Sequence, residues 1–233
     1  MCTVTFIPTS NTSFVLTSSR DEAPNRKTIT PELYSVNGAN LLFPKDAVAG
    51  GTWIGVSSKK RLICLLNGGF TAHERAESYR MSRGIIVTDL LTSEDFVTTV
   101  HDYDFTGIEP FTIVCADWNE KLQLFELVWD GSTVHFAEKP LKPYIWSSSL
   151  LYSEAMKEKR ISWFSDLLKH NSTPSEADML QFHKTAGDGN LASNVIMDRG
   201  FVKTKSITQF SKAKEKSMRY EDLETGMVTE SIL

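Results

Sequence analysis

The sequence predicts an α+β fold in which antiparallel sheets are covered by helices. Strand patterns open the chain, helical patterns follow in its middle, and strands, helices and strands then come in turn. This order does not alternate strand with helix, as a parallel βαβ repeat would. The chain has 233 residues, 41% of them hydrophobic, and no internal repeat or low-complexity linker divides it. We therefore predict a single domain over residues 1–233.

The first third of the chain predicts two β-hairpins. The first pairs CTVTFI with FVLTSS through the turn-forming PTSNTS, and it leads the chain to Arg20 and Asp21. The second pairs TWIGV with RLICLL through SSKK and ends at Asn67. Residues 24–50, between the hairpins, hold proline, asparagine and glycine with only short apolar runs. They are therefore predicted to form a loop-rich excursion.

The rest of the chain predicts helices and further strands. A helical pattern covers residues 72–101, with a break at Thr92 and Ser93 before a capped second helix. Another helical stripe runs over residues 153–169, and a further helix follows Pro174. Strands are predicted at FTIVCADW, KLQLFELVW, STVHFAE and PYIWSSS, which form a meander, and later at NVIM and FVKTKSITQF.

Composition and charge exclude several classes of partner. The net charge is −4 and no polybasic run is present, which argues against nucleic acid and anionic membranes. Three scattered cysteines are too few for a disulfide framework, and five histidines show no metal-ligand spacing. No signal-peptide pattern and no stretch of transmembrane length is present. We therefore expect a cytoplasmic protein without a metal site or membrane insertion.

The second residue, Cys2, is the first candidate for chemistry. If Met1 is removed, Cys2 carries a thiol and a free α-amine together. A thiol with a pKa of about 8.5 is mostly protonated at neutral pH, and an α-amine with a pKa of roughly 7.7–8.0 can accept its proton. The predicted hairpin returns Arg20 and Asp21 beside Cys2, where the carboxylate can hold the amine and the guanidinium can favour the thiolate. The set predicts a nucleophile and its base without a histidine.

Plainer interpretations of the same features stay open. A cysteine in a first strand packs as a small hydrophobic residue, and an Arg-Asp pair after a strand is often an exposed ion pair. The glycine pair at 50–51 is either a tight strand entry or part of a pocket floor. Arg75, Arg80 and Arg83 either bind an anionic group or form a solvated face.

Several stretches together resemble a known family. They are MCTVTFIP, SSRDEAPNR, LLFPKDAVAGGTWIGV and the strand that ends at Asn67. They resemble the family named for its Asn-Arg-Asp-Glu motif (NRDE), which includes the transport and Golgi organisation protein two homologues. Two later segments, PYIWSSSLLYSEAMKEKR and VKTKSIT, resemble the C-terminal halves of its members, so the resemblance covers most of the chain.

The resemblance implies a relationship to cysteine-type N-terminal nucleophile (Ntn) hydrolases, which include penicillin V acylase and bile-salt hydrolase. It implies a four-layer αββα sandwich of antiparallel sheets. It also implies that Cys2 attacks an amide carbonyl, that Arg20 and Asp21 orient it, and that Asn67 is a candidate for the oxyanion hole. The implied activity is hydrolysis of, or acyl transfer from, a small non-peptide amide or acyl substrate, with no required cofactor.

The sequence departs from the family pattern at two positions. Ser19 replaces the leading asparagine of the motif, where it can still form a local hydrogen bond. Ser148 stands where other members carry an asparagine, and we assign it to the oxyanion hole although its hydroxyl is shorter than an amide. A basic residue expected on the late strand is Lys203 or Lys205.

A function of a different class stays open, and the departure at Ser148 favours it. The same fold can hold a ligand without turnover, as a haem or lipid/acyl-CoA binding and trafficking protein. Members of the resembled family have been linked to lipid or acyl-CoA homeostasis and to haem mobilisation. In this alternative, Cys2 is a soft ligand to haem iron. The sequence leaves both functions open.

Overall fold

The computed structural model describes residues 3–233, which form two compact units. Unit 1 holds residues 3–26 and 141–233, and unit 2 holds residues 27–140. Within these residues, each unit contains one antiparallel sheet and two helices. The predicted α+β fold with antiparallel sheets is confirmed. The assignment of residues 1–233 to a single domain stays a prediction.

The described residues form thirteen strands and four helices. The strands are β1 (Thr3–Pro8), β2 (Phe14–Glu22), β3 (Thr28–Val36), β4 (Ala39–Asp46), β5 (Ile54–Ser57), β6 (Arg61–Asn67), β7 (Phe111–Asp117), β8 (Gln123–Trp129), β9 (Val134–Lys139), β10 (Tyr144–Ser147), β11 (Lys203–Lys212), β12 (Lys216–Asp222) and β13 (Val228–Ile232). The helices are α1 (Arg83–Thr92), α2 (Phe96–Asp102), α3 (Glu154–His170) and α4 (Glu176–Thr185).

The sheet of unit 1 has six strands in the order β10-β1-β2-β11-β12-β13. Helix α4 packs on β2 and β11, and α3 packs beside β10. Ile7 of β1 lies in one core cluster with Phe164 of α3 and Phe182 of α4. A capping box of Ser175 and Asp178 fixes the start of α4. Both helices therefore cover the face of the sheet to which Ile7 points.

The sheet of unit 2 is a seven-stranded meander in which each strand from β3 to β9 pairs with the next. Helices α1 and α2 begin after the N-caps Ser82 and Asp95, whose side chains accept backbone N–H groups of the first turn. Helix α1 packs on β4, β5 and β6. Its buried residues, with those of α2 and the sheet, form the large core cluster of this unit.

Most of the predicted elements are confirmed. Both predicted hairpins, the meander of β7–β9, the helices α3 and α4, and β11 lie where the pattern predicts them. The predicted break near Thr92 separates α1 from α2. In these segments the local apolar period and the flanking turn residues agree with the tertiary packing.

The predicted loop at residues 24–50 is wrong, because this segment forms the hairpin of β3 and β4. Its turn is Asn37-Gly38, and φ is 47° and 77° at these residues, as a two-residue hairpin turn requires. β3 is an edge strand with partly exposed side chains, and Pro31 lies at a register shift of its pairing with β4. An edge strand tolerates such a proline, which obscures the strand pattern in the sequence.

Three further expectations need correction. PYIWSSS forms β10, which pairs with β1 in unit 1 and does not continue the meander. Residues 72–82 precede α1 and are not helical. NVIM is not a strand, although its Val195 and Met197 are buried. A short apolar run is buried equally well in a strand and in a packed loop, so its composition does not distinguish the two.

Candidate active site

The candidate site lies at the end of the unit 1 sheet where the described part of β1 begins. Thr3 pairs with Ser19 on β2 and with Ser147 on β10. Arg20 and Ser148 directly follow these two partners in the sequence. Ser148 is buried. Strand pairing thus brings two separate segments of the chain to the start of β1.

Two residues predicted for the active site are not among the described residues at the start of β1. Cys2 lies outside the described residues, and its role as nucleophile stays a prediction. Asn67 ends β6 in unit 2, where its strand partner is Phe111. Its contribution to an oxyanion hole also stays a prediction.

Arg20 and Asp21 are both buried, and each is only 2% exposed. Successive residues of a strand point to opposite faces, so the two side chains lie on different sides of the sheet. Asp21 shares the helix-covered face with Ser19, whose hydroxyl contacts α4. Arg20 lies on the other face with Glu22, and Arg20 Nη2 is 3.6 Å from Glu22 Oε2. The interpretation of Arg20 and Asp21 as an exposed ion pair is therefore wrong.

The carboxylate of Asp21 is held by two hydroxyl groups. Thr204 Oγ1 donates to Asp21 Oδ1 at 2.6 Å, and the phenol of Tyr152 donates to Asp21 Oδ2. Thr204 lies directly opposite Asp21 in the pairing of β11 with β2, so the two residues share a face. The backbone N–H of Met197 donates to Thr204 Oγ1 at 2.9 Å. Each oxygen of the buried carboxylate therefore has its own fixed donor.

Tyr152 contacts Asp21 through its hydroxyl and two arginines through its ring. The backbone N–H of Tyr152 donates to the carbonyl of Ser148 at 3.1 Å, so a single turn after β10 brings the phenol to Asp21. The guanidinium carbon of Arg160 lies 3.4 Å from the centre of the Tyr152 ring, and that of Arg199 lies 5.3 Å away. These are cation–π distances. Arg160 is fully buried and also donates to two backbone carbonyls before β11.

A buried histidine, His183 of α4, contacts the same face of the sheet. Its ring nitrogens lie 2.9 Å from Thr5 Oγ1 and 2.8 Å from Ser19 Oγ. Burial lowers the pKa of His183 to about 3, and the charge of Arg160 acts in the same direction. A neutral imidazole donates from one nitrogen and accepts at the other, and the two hydroxyls match both. Ser19 thus makes a hydrogen bond with a residue 164 positions away, not the local bond that the sequence predicts.

The two lysines expected on the late strand both contact Glu224. Lys203 Nζ lies 2.5 Å from Glu224 Oε1, and Lys205 Nζ donates to Glu224 Oε2 and to the carbonyl of Pro24. The hydrogen bond with Glu224 raises the pKa of Lys203. The two lysines thus share one carboxylate, which offsets one of their two positive charges.

A cavity of about 700 Å³ adjoins Thr204 in unit 1. It has the volume of a small-molecule pocket. Its lining includes Lys184 and Lys203, together with the carboxylates of Glu221 and Glu224. Lys184 Nζ lies 2.7 Å from Glu221 Oε1, and Lys203 pairs with Glu224. Asp198 also lines the cavity, so its walls carry three carboxylates and two lysines, four of which form these two ion pairs.

The three arginines near α1 bind groups of the protein itself. Arg75 Nε lies 3.1 Å from one oxygen of the buried Glu109, and Arg83 Nη2 lies 3.1 Å from the other. His73 Nε2 is 3.4 Å from the same carboxylate. Arg80 Nε donates to a backbone carbonyl before β7 at 2.9 Å. The anionic group that Arg75 and Arg83 contact is thus a side chain of this protein.

Two of the three cysteines, Cys64 and Cys115, are buried in unit 2. Burial raises the pKa of Cys115 well above its ordinary value, so this thiol stays protonated and unreactive. Among residues 3–233, no group of three or more His, Cys, Asp or Glu side chains is arranged to hold a metal ion. No helix in that range is long and apolar enough to cross a membrane.

Sequence reasoning missed three residues of this arrangement, Tyr152, Thr204 and His183. Tyr152 and Thr204 lie in the two later segments that carry the family resemblance. Pairing β11 with β2 in the observed register would have identified Thr204 as the neighbour of Asp21. No local signal indicates that Tyr152 turns back to Asp21 or that His183 reaches Ser19, because both contacts depend on tertiary packing.

Comparison with solved structures gives matches over nearly the whole chain. An N-acylethanolamine-hydrolyzing acid amidase ortholog from Caenorhabditis elegans is 14% identical, with a TM-score of 0.61 over 89% of this chain and 92% of that one. The C2A mutant of conjugated bile acid hydrolase from Clostridium perfringens is 8% identical, with a TM-score of 0.61 over 100% and 92%. Penicillin V acylase from Agrobacterium tumefaciens is 12% identical, with a TM-score of 0.54 over 100% and 86%. At these identities the matches show the fold, that of the Ntn hydrolases.

The chain was also compared with family models and with curated proteins. A family model described as Transport and Golgi organisation 2 matches residues 1–219. A comparison with curated protein sequences gives no match. The family name based on the Asn-Arg-Asp-Glu motif is not part of the matched description and stays a prediction.

Proposed function

Because the chain belongs to the Transport and Golgi organisation 2 family and has an Ntn-hydrolase fold, we propose that it is an amidohydrolase or acyltransferase with Cys2 as its nucleophile. The substrate class is a small molecule with a non-peptide amide or an activated acyl group. The solved structures of similar fold include an amidase and an acylase, which supports this class. A structure of the bile acid hydrolase was determined with its cysteine at position 2 replaced, which directs attention to the same position here.

The observation that carries the proposal is the arrangement of Arg20 and Asp21 on β2 beside the start of β1. Cys2 is bonded to Thr3, whose strand partner Ser19 directly precedes Arg20. A nucleophile that also supplies its own base needs one partner for the thiol and another for the amine. Arg20 and Asp21, on opposite faces of the same strand, offer a cation and an anion for these two tasks.

The proposed reaction proceeds in two balanced halves. The thiol proton of Cys2 passes to the α-amine while the sulfur attacks the carbonyl carbon, and the carbonyl oxygen becomes an oxyanion. The C–N bond then breaks, the leaving amine takes the proton from the α-ammonium, and a thioester remains. Water or an acceptor amine attacks the thioester, its proton passes to the α-amine, and the C–S bond breaks. The thiol recovers this proton and the acyl product leaves.

The chain departs from its family pattern at a residue proposed to stabilise the oxyanion, since Ser148 replaces an asparagine. A donor acts there only if it lies about 2.7–3.1 Å from the oxyanion. Ser148 supplies a hydroxyl in place of an amide, and Asn67 supplies the second side chain that we assign to this role. Both assignments are part of the proposal.

The first test is the intact mass of the purified protein, because the mechanism requires that Met1 be absent. The second is acetylation by p-nitrophenyl acetate at neutral pH, followed by peptide mapping of the modified residue. We expect acetyl transfer to Cys2 and its loss in Cys2→Ala. Cys115→Ala is the matched control, since its buried, protonated thiol does not react. Retention of Met1, or equal acetylation of Cys2→Ala and the wild type, refutes the proposal.

A second candidate is a binding protein of the same fold that holds haem or a lipid/acyl-CoA without turnover. Ser148 favours it, because a shorter donor stabilises an oxyanion less well than an amide. The test is titration of haem and of an acyl-CoA into the wild type and Cys2→Ala. A protein that binds either ligand but is not acetylated at Cys2 supports this candidate. Haem binding that is unchanged in Cys2→Ala removes the cysteine as an iron ligand.

A further inference from the structure

We propose that Tyr152 and Thr204 are positioning residues that fix the carboxylate of Asp21 for its partner at the nucleophile. The inference rests on the proposed function, because Asp21 acts there as the anchor of the α-amine. It assigns to both residues a role that they exert through Asp21. We call Tyr152, Thr204 and Asp21 the Asp21 clamp.

The clamp holds the carboxylate from two independent directions. Thr204 reaches one oxygen from the neighbouring strand, and Tyr152 reaches the other from the turn after β10. A carboxylate with one donor can still rotate about its terminal bond, whereas donors on both oxygens fix its plane. The remaining lone pairs of Asp21 then point in set directions, as a base or an anchor requires.

The donors are themselves fixed by groups that leave little freedom. The backbone N–H of Met197 donates to the Thr204 hydroxyl. That hydroxyl lies 2.6 Å from Asp21 Oδ1 and 3.3 Å from the carbonyl of Val195, so the carboxylate is the closer acceptor for its proton. The ring of Tyr152 is covered by the buried guanidinium of Arg160 at 3.4 Å. A cation over the ring withdraws electron density from the phenol and makes its O–H a stronger donor.

The charge arrangement supports the same assignment. Two nitrogens of the Arg160 guanidinium, Nε and Nη1, have no hydrogen-bond partner among the described residues. A buried cation needs a nearby anion, since its burial is otherwise costly. The Arg160 guanidinium lies over the ring of Tyr152, and the hydroxyl of the same ring donates to Asp21, so one phenol contacts a positive and a negative group. Tyr152 thus stabilises both buried charges as well as directing the carboxylate.

The test compares Tyr152→Phe, Thr204→Val and the double variant by the kinetics of Cys2 acetylation with p-nitrophenyl acetate. We expect the maximal acetylation rate to fall about 10- to 100-fold in each single variant, with the half-saturating probe concentration unchanged, because the carboxylate moves while the pocket stays. The double variant should lose less than the product of the single losses, since both donors act on one carboxylate.

Tyr103→Phe is the matched control, because the phenol of Tyr103 donates to Asp89 at 2.7 Å within unit 2. It removes a Tyr-Asp hydrogen bond of the same kind from outside the proposed site. We expect Tyr103→Phe to lower the thermal unfolding midpoint as Tyr152→Phe does. Unlike Tyr152→Phe, it should acetylate Cys2 at the wild-type rate. Wild-type rates in both Tyr152→Phe and Thr204→Val overturn the clamp alone. A wild type that is not acetylated at Cys2 overturns the proposed function, and the clamp's role with it.

Discussion

Ser19 Oγ lies 2.8 Å from Nδ1 of His183, a contact between a strand near the N-terminus and a helix near the C-terminus. The other ring nitrogen lies 2.9 Å from Thr5 Oγ1. The imidazole therefore joins β1 and β2 to α4 through two hydroxyls on the face that also carries Asp21. Because all of these groups are buried, a proton added to the ring charges a site from which water is excluded.

Protonation of His183 should destabilise the protein below about pH 6.5. Its pKa is about 3 in the folded protein and 6.5 in the absence of burial. The unfolded chain thus binds more protons between these values, so the His183 contribution is complete above pH 6.5 and is lost as the pH falls toward 3. At 1.36 kcal/mol for each pKa unit, the loss is roughly 4–5 kcal/mol.

The measurement is the free energy of unfolding in urea between pH 4 and 7 for the wild type and His183→Gln. The variant is expected to be less stable at pH 7 but to lose less stability on acidification. His170→Gln, which alters an exposed histidine, controls for the substitution and should parallel the wild type. Parallel curves for the wild type and His183→Gln would contradict the assignment.

Arg61→Met should destabilise unit 2 by about 3–5 kcal/mol, because it leaves the carboxylate of Asp117, whose side chain is only 13% exposed, without its partner. Arg61 is buried, and its Nε lies 2.7 Å from Asp117 Oδ2. Its Nη1 also donates to the carbonyl of Leu90 at the end of α1. Urea unfolding measures the loss. Lys59→Met breaks the exposed pair with Glu94 and is expected to have a much smaller effect.

The fold was largely predictable because its strongest signals are local. Neighbouring residues indicate each of three elements by their apolar spacing, turn residues or capping residues. These elements are the hairpin of β1 and β2, the helix α3 and the start of α4. β10 shows where this fails, since PYIWSSS is strand-like by composition whichever sheet it joins. Its pairing with β1 joins two segments that are far apart in the sequence. A short-range sequence pattern predicts a strand but does not predict its pairing partner.

In the candidate site, too, the residues with local signals were predictable and those that depend on long-range contacts were not. Arg20 and Asp21 were identified because they follow a predicted strand next to Cys2 in a hairpin. Tyr152 lies 131 positions from Asp21, and its role depends on the turn after β10. Thr204 becomes a neighbour only through the register of β11 against β2. Polar groups that support a site from other strands and helices are therefore revealed by the tertiary structure, not by motif spacing.

Gly51→Ala should destabilise the protein by about 1–3 kcal/mol through overpacking. A Cβ atom at Gly51 would lie 2.7 Å from the backbone carbon of Gly84 in α1, and neither backbone can move without disturbing the strand entry or the helix. The interpretation of this glycine as a tight strand entry is thus favoured. Thermal unfolding measures the effect.

Gly189→Ala is the matched control for Gly51→Ala. A Cβ atom there meets nothing within 4 Å, but φ is 87°, so only backbone strain is added. We expect a smaller loss of stability than for Gly51→Ala. Equal losses would show that close approach to α1 is not the cause.

Ser148→Ala should slow the acetylation of Cys2 by about 10²–10³-fold, the usual effect of removing one oxyanion donor. Ser148 is buried where the chain leaves β10, next to the partner of Thr3, so removal of its hydroxyl leaves the strand pairing intact. Ser149→Ala is the matched control, because that hydroxyl accepts a hydrogen bond from Lys157 Nζ at 2.9 Å. A normal rate for Ser148→Ala, with acetylation still dependent on Cys2, would show that the oxyanion is stabilised without this hydroxyl. The substitution of serine for the family's asparagine would then mark the loss of a donor and not its replacement.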